Sequence, residues 1–266
     1  MQIRPRILHN TSAVEAWPAW LLRARGNTDA RILARAGHVL RRKRDGRFLA
    51  AVLPEGVIGL LPRWTREGGV DTALQALEQA SPHPLGAQAP GGKLPLDRLH
   101  ERIDALGLDD DYAGRTGLPL VAEPEWLAFA GFDRYRRPLW LRADAARAWQ
   151  AMQAAALGDG IVLEAISGYR SHDYQLGIFE RKLARGLRVE EILNVNAAPG
   201  YSEHHSGLAL DIGAPGEPPA EESFEATQAF GWLSRHAAAH GFVMSYPRDN
   251  PHGIVYEPWH WCFQPA

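Results

Sequence analysis

A single cysteine, Cys262, stands in the 266 residues, which excludes an intrachain disulfide and any cysteine-rich structural zinc site. A metal held by this chain has to use nitrogen and oxygen ligands. One thiol also suits a reducing compartment. Long apolar runs are missing too: nowhere do about eighteen apolar residues follow one another, so no membrane-spanning helix is expected. The first thirty residues carry arginines but no uninterrupted apolar stretch of about 7–15 residues, the requirement for an export signal. The expected location is therefore the cytoplasm. Nor is there a surplus of charge. With 29 Lys and Arg against 31 Asp and Glu the net charge is −2, which gives no general attraction to nucleic acid or anionic membranes, and no nucleic-acid partner is expected.

What is present describes a globular chain. Hydrophobic residues make up 45%, enough for a real core, and the length suits one or two domains. Charge is unevenly spread: thirteen Lys or Arg against five Asp or Glu up to Val70, then three against eight from Asp71 to Gly114. In the basic part, HVLRRKRDGRFLAAVL reads as a β-hairpin turning at Asp45-Gly46, since Asp-Gly suits a tight turn. Arg41 to Arg44 then crowd the hairpin tip. Four basic residues fall short of a nucleic-acid-binding stripe, so they read as a solvated cluster partly neutralised by the acidic segment that follows. Residues 80–95, rich in Pro and Gly, read as a linker or long loop. LDRLHERIDALGL beyond it still looks helical, which sets the domain border in DDDYAGRTG. Residues 1–114 are then a smaller N-terminal α+β domain, and 115–266 the second domain.

From Leu118 onward helices alternate with strands. RADAARAWQAMQAAALGDG is alanine-rich and predicts one long helix ending near Gly158. IVLEAISG reads as a buried strand ending at Gly168. In HDYQLGIFERKLARG, Leu176, Phe179 and Leu183 recur at helical spacing, with Gly186 as the C-cap. A further helix is expected from about Glu222 to His240, and LALDIG, FVMSY and GIVYEPWHWCF read as strands. The fold class is α+β, with a small antiparallel sheet flanked by helices.

Two stretches carry chemistry. In GLALDIG strict alternation sends Leu208, Leu210 and Ile212 to one face and leaves Asp211 among Gly207, Ala209 and Gly213 on the other. A carboxylate on a face cleared of bulk suits a metal or a substrate channel, because packing it against leucines would leave its desolvation uncompensated. Seven residues earlier stands His204, with Gly207 letting the chain turn between them. Near the C-terminus YEPWHWCF offers Glu257 and His260. Pro258 cannot donate to a sheet ladder, so the strand begins or bends there and lets Glu257 lie near the same site. Two imidazoles, one carboxylate and a nearby glutamate make the inventory of a catalytic zinc site, with an open position for water and a general base. His205 is the rival ligand, disfavoured because adjacent residues in an extended segment point oppositely. His172, His236, His240 and His252 read as surface or core histidines, and Cys262 as a packed core residue.

SEHHSGLALD fits the pattern Ser-x-His-x-x-Gly-x-Ala-x-Asp, EPWH fits Glu-x-x-His, and SGYRSHDYQ precedes both. In these motifs the chain resembles the VanY-type D-alanyl-D-alanine carboxypeptidases of the LAS zinc metallopeptidases, over about Leu118 to Phe263. The resemblance implies Zn2+ as cofactor, His204, Asp211 and His260 as its ligands, Glu257 as catalytic base, and Arg170 as the group steadying the substrate carbonyl. Gln175 and Ser202 match positions that contact the C-terminal part of the substrate. Trp259 is a candidate wall of the substrate pocket, with core packing as its other reading. The implied substrate is a peptidoglycan stem peptide losing its terminal D-alanine. A cytoplasmic enzyme would meet recycled fragments, which favours L,D-carboxypeptidase action on tetrapeptides over D,D-carboxypeptidase action on pentapeptides. An endolysin-type endopeptidase, with the N-terminal part as wall-binding domain, and a non-catalytic zinc-bearing binding module are the other classes.

Overall fold

In the computed structural model the described residues are 4–24, 26–80, 92–96, 99–100, 103–104, 106–107 and 111–265. They form two compact units, residues 1–94 with 124–129, and residues 95–123 with 130–266.

The first unit is built on an antiparallel sheet. Its strands are β1 (Ile7–Asn10), β2 (Val14–Pro18), β3 (His38–Arg42), β4 (Phe48–Leu53) and β5 (Gly56–Gly59), and its helices α1 (Asn27–Leu33) and α2 (Val70–Gln79). β1 also pairs with the start of β6 (Trp126–Phe132), giving the order β5-β4-β3-β2-β1-β6. β4 reads FLAAVL without polar alternation because both of its faces are covered. Leu49 and Ala50 join Val14, Leu40, Val70 and Ala73 in one cluster, while Ala51 and Leu53 join Ala19 and Val39 in another, against Ile32 and Leu33 of α1.

The turn at Asp45-Gly46 joins β3 to β4 as expected, with the Gly46 amide donating to the Arg42 carbonyl. The arginines at its tip are paired. Arg42 bonds Asp45 and Glu67, Arg44 lies 3.6 Å from Glu67, and Arg41 donates to the buried Glu15 carboxylate at 2.9 Å. Among the described residues the acids that meet these arginines, Glu15, Asp45 and Glu67, lie inside the basic stretch.

The second unit contains α3 (Tyr112–Thr116), the end of β6, β7 (Pro138–Leu141), α4 (Ala143–Gly158), β8 (Glu164–Ser167), α5 (His172–Leu183), α6 (Val189–Leu193), β9 (Ala209–Gly213), α7 (Gln228–His236), β10 (Phe242–Met244) and β11 (His260–Phe263). Four of these strands form an antiparallel sheet in the order β10-β11-β9-β8. The small antiparallel sheet flanked by helices is the arrangement expected of this part, and α4 covers the predicted span to Gly158.

Three expectations differ. The border set between 114 and 115 does not coincide with the contact division at Leu94/Pro95. Leu99, Ile103 and Tyr112 lie in one buried cluster with Leu118, Ala198, Tyr201 and Tyr246, so they belong to the second unit's core. The linker read over 80–95 falls largely outside the described residues; of the helix read after it, the described residues 99–100 and 103–104 are helical. The single helix over 222–240 is three pieces, a 3-10 turn at Glu222–Ala226, α7, and a second 3-10 turn at Ala237–His240. Thr227 causes the first break, since its side chain accepts from the Phe230 amide and starts a new helix there. Finally, the last expected strand shrinks to β11, because Pro258 and Trp259 form a turn.

Candidate metal centre

The site grows out of the two central strands of the small sheet. His260 on β11 and Asp211 on β9 are direct cross-strand partners, which puts their side chains side by side on one face. His204 comes from the 3-10 turn Glu203–Ser206 just before β9, which Gly207 closes at φ +70°, a conformation that favours glycine. Ligand atoms of His204, Asp211 and His260 all lie within 4.8 Å of one another, and all three residues are buried. Glu257 stands 3.8 Å from the His260 Nδ1 atom. The turn at Pro258 brings it there; its amide donates to the Tyr246 carbonyl, and its own carbonyl accepts from the His260 amide.

The hydrogen-bond pattern suits a bound cation. His204 Nδ1 donates to the Gly168 carbonyl at 2.7 Å, so the other ring nitrogen, Nε2, carries a lone pair. That atom is buried, lacks a hydrogen-bond partner, and sits 3.3 Å from Asp211 Oδ1. Burial and the nearby Arg170 charge push the His204 imidazole down to about 4, keeping it neutral. A lone pair aimed at a carboxylate is repulsive unless positive charge lies between them. Asp211 is held well below the usual carboxylate range: burial opposes this, but His204, His260 and Arg170 around it outweigh the cost. The donor set, two imidazoles and a carboxylate, fits zinc.

Burial pushes the Glu257 carboxyl up to about 7, with Asp211 and Glu203 adding to the shift and His260 and Arg170 opposing it. That value suits a general base working near neutrality. Arg170 reaches Asp211 Oδ2 at 3.8 Å, and its Nε is buried without a partner. Gln175, in the first turn of α5, donates to the Ala197 carbonyl at 2.9 Å while its Oε1 is left unpartnered. Ser171 fixes the start of that helix by accepting from the Tyr174 amide.

These groups line one small cleft. Arg170, Gln175, Ser202, His204, Glu257 and His260 border it, and its free space is about 30 Å³. Trp259 does not: the cleft's lining omits it, and its carbonyl accepts from the Ile212 amide. His205 points elsewhere, though not for the reason expected, because the segment is a 3-10 turn and not extended chain. Its Nδ1 donates to the Arg170 carbonyl at 2.6 Å and its Nε2 accepts from the Gly200 amide. Cys262 Sγ donates to the Phe263 carbonyl at 3.8 Å, and the residue is not part of the candidate metal cluster. Sequence reasoning missed the wall formed by Val195, Asn196, Ala197, Tyr246 and Ile254. It also missed Glu203, the unassigned position between the Ser and His of the motif, which accepts from His260 Nε2 at 2.8 Å.

An α+β domain carrying a buried His-Asp-His cluster with a glutamate beside it defines the class of zinc-peptidase-like folds. Comparison with known proteins narrows this further. The family model described as VanY D-alanyl-D-alanine carboxypeptidase matches residues 138–266. YodJ of Bacillus subtilis (strain 168) is 37% identical over 139 residues, which are 48% of each chain. The bifunctional D-Ala-D-Ala dipeptidase and D-Ala-D-Ala carboxypeptidase VanXYC of Enterococcus gallinarum is 31% identical over 148 residues, 53% of this chain and 75% of the relative. A solved structure of the LdcB LD-carboxypeptidase superposes with a TM-score of 0.50 at 32% identity, covering 55% of this chain and 71% of that one. The chain belongs to the VanY D-alanyl-D-alanine carboxypeptidase family. It spans about half the length of YodJ.

Proposed function

We propose that the second unit is a zinc-dependent carboxypeptidase that releases the C-terminal D-alanine of peptidoglycan stem peptides. The observation that carries this reading is the convergence of His204, Asp211 and His260 on one point with Glu257 beside it. When bound, zinc supplies a Lewis acid that polarises the scissile carbonyl and lowers the pKa of a water molecule. Glu257 takes the proton from the attacking water and returns it to the leaving amine. Arg170 steadies the negative charge that develops on the carbonyl oxygen. Gln175 and Ser202 hold the terminal part of the substrate. The cleft is small and bordered by Val195, Ala197 and Ile254, which suits a terminal residue with a methyl side chain.

Within that reading we favour L,D-carboxypeptidase action on tetrapeptides. Its support is the likeness to the LdcB structure; the likeness to VanXYC supports the D,D alternative. Incubation with tri-, tetra- and pentapeptide muropeptides, followed by mass spectrometry with and without a chelator, separates them. Loss of one alanine from the tetrapeptide, abolished by the chelator, is expected. Loss from the pentapeptide alone overturns the L,D assignment, internal cleavage points to an endolysin, and no cleavage at all overturns the enzyme.

A further inference from the structure

His260 is gripped at both ring nitrogens by acids. Nε2 lies 2.8 Å from Glu203 Oε2, and Nδ1 lies 3.1 Å from Asp211 Oδ1. A neutral imidazole has one N–H and one lone pair, so it can donate in only one of these directions. We propose that Glu203 is a positioning residue for the metal: by holding the Nε2–H of His260 it leaves Nδ1 as the atom presented to the cation. This rests on the reading of His204, Asp211 and His260 as metal ligands.

The arrangement repeats what the chain does with His204, whose Nδ1–H is held by the Gly168 carbonyl so that Nε2 faces Asp211. Each ring is anchored through one nitrogen and offers the other. Glu203 is itself partly buried, its side chain 27% exposed. It also immediately precedes His204 on the same 3-10 turn, so one short segment sets the geometry of two ligands from different parts of the chain. The carboxylate adds a second effect, since a negative charge behind an imidazole raises its basicity toward metal.

The test is zinc affinity of the full chain, measured by competition with a chromogenic chelator for wild type, Glu203→Ala, Glu203→Gln and His204→Ala. Glu203→Ala is expected to weaken zinc binding by about 10–100-fold. Glu203→Gln, which keeps an acceptor oxygen but loses the charge, is expected to weaken it several-fold. In zinc-loaded wild type, nitrogen-15 NMR is expected to show His260 protonated at Nε2 alone, with that proton protected from exchange, and protection lost in Glu203→Ala. Thermal melting of the metal-free variants separates loss of folding from loss of positioning, and if the Ala variant does not fold the Gln variant decides. Unchanged affinity in both Glu203 variants, while His204→Ala abolishes binding, overturns the positioning role and leaves the metal site standing. A wild type that binds no zinc overturns both.

Discussion

Glu257 has the clearest single-residue consequence. Its substitution by Ala is expected to lower turnover by about 10²–10⁴-fold while zinc affinity stays within a few-fold, because the residue stands beside the ligand cluster and outside it. Steady-state kinetics together with metal titration checks this, and a parallel loss of zinc would make Glu257 a ligand instead. His38, in the first unit, carries a pH prediction. Burial, and then the neighbouring His9, push its imidazole down to about 4. The unfolded chain then binds more protons than the folded one below pH 6.5, so stability is complete above that value and falls as pH drops toward about 4. The loss amounts to about 3 kcal/mol at roughly 1.4 kcal/mol per pH unit. Urea unfolding at pH 7 and pH 4 is expected to show a smaller drop for His38→Gln than for wild type. At this scale the converging residues were legible, since His204, Asp211, His260 and Glu257 follow from fixed spacing around a glycine and a proline. Glu203 was not, because nothing in a linear pattern says that a residue on a turn will meet a ring more than fifty positions away. The place of Trp259 was not legible either: the sequence left pocket wall and core packing open, and the residue lies in the turn before β11.

Among the elements, the link from β8 to α5 is tightly constrained. A Cβ at Gly168 would come within 2.9 Å of the Trp140 carbonyl oxygen and 2.7 Å of Leu139 Cδ1. Gly168→Ala is therefore expected to destabilise the protein by about 1–3 kcal/mol. Because the Gly168 carbonyl also holds His204, zinc binding is expected to weaken with it, readable by chemical denaturation and metal titration on the same sample. α4 could be read from sequence because its alanine-rich span has no competing cap. The 222–240 region could not, because composition favours helix throughout and only the side-chain bond from Thr227 divides it.

For the whole molecule, the division at Leu94/Pro95 makes the segment before residue 115 part of the second unit. Tyr112 is 3% exposed, its ring meets that of Tyr201 at 4.7 Å, and its hydroxyl accepts from the Ala198 amide. Tyr112→Ala in the full chain is expected to cost about 3–5 kcal/mol, the range for losing a buried aromatic side chain, measurable as a lowered thermal midpoint. The sequence border differs from this division because the acidic, Asp-rich run at 109–111 looks like a boundary, whereas the contact division follows where Leu99, Ile103 and Tyr112 bury their apolar surface. Among the described residues no helix is long and apolar enough to cross a membrane, in line with the absence of long apolar runs.

The pairing of Asp211 with His260 on adjacent strands also gives the candidate ion a mechanical part. A cation bound there would clip the middle of the small sheet to the turn that precedes it, joining segments far apart in the chain. At a thousand times its dissociation constant such a ligand adds about 4 kcal/mol to the folded state. Chelation is then expected to do more than silence the enzyme: it should leave the protein easier to melt and quicker to be digested, so that zinc supply sets how long each molecule lasts.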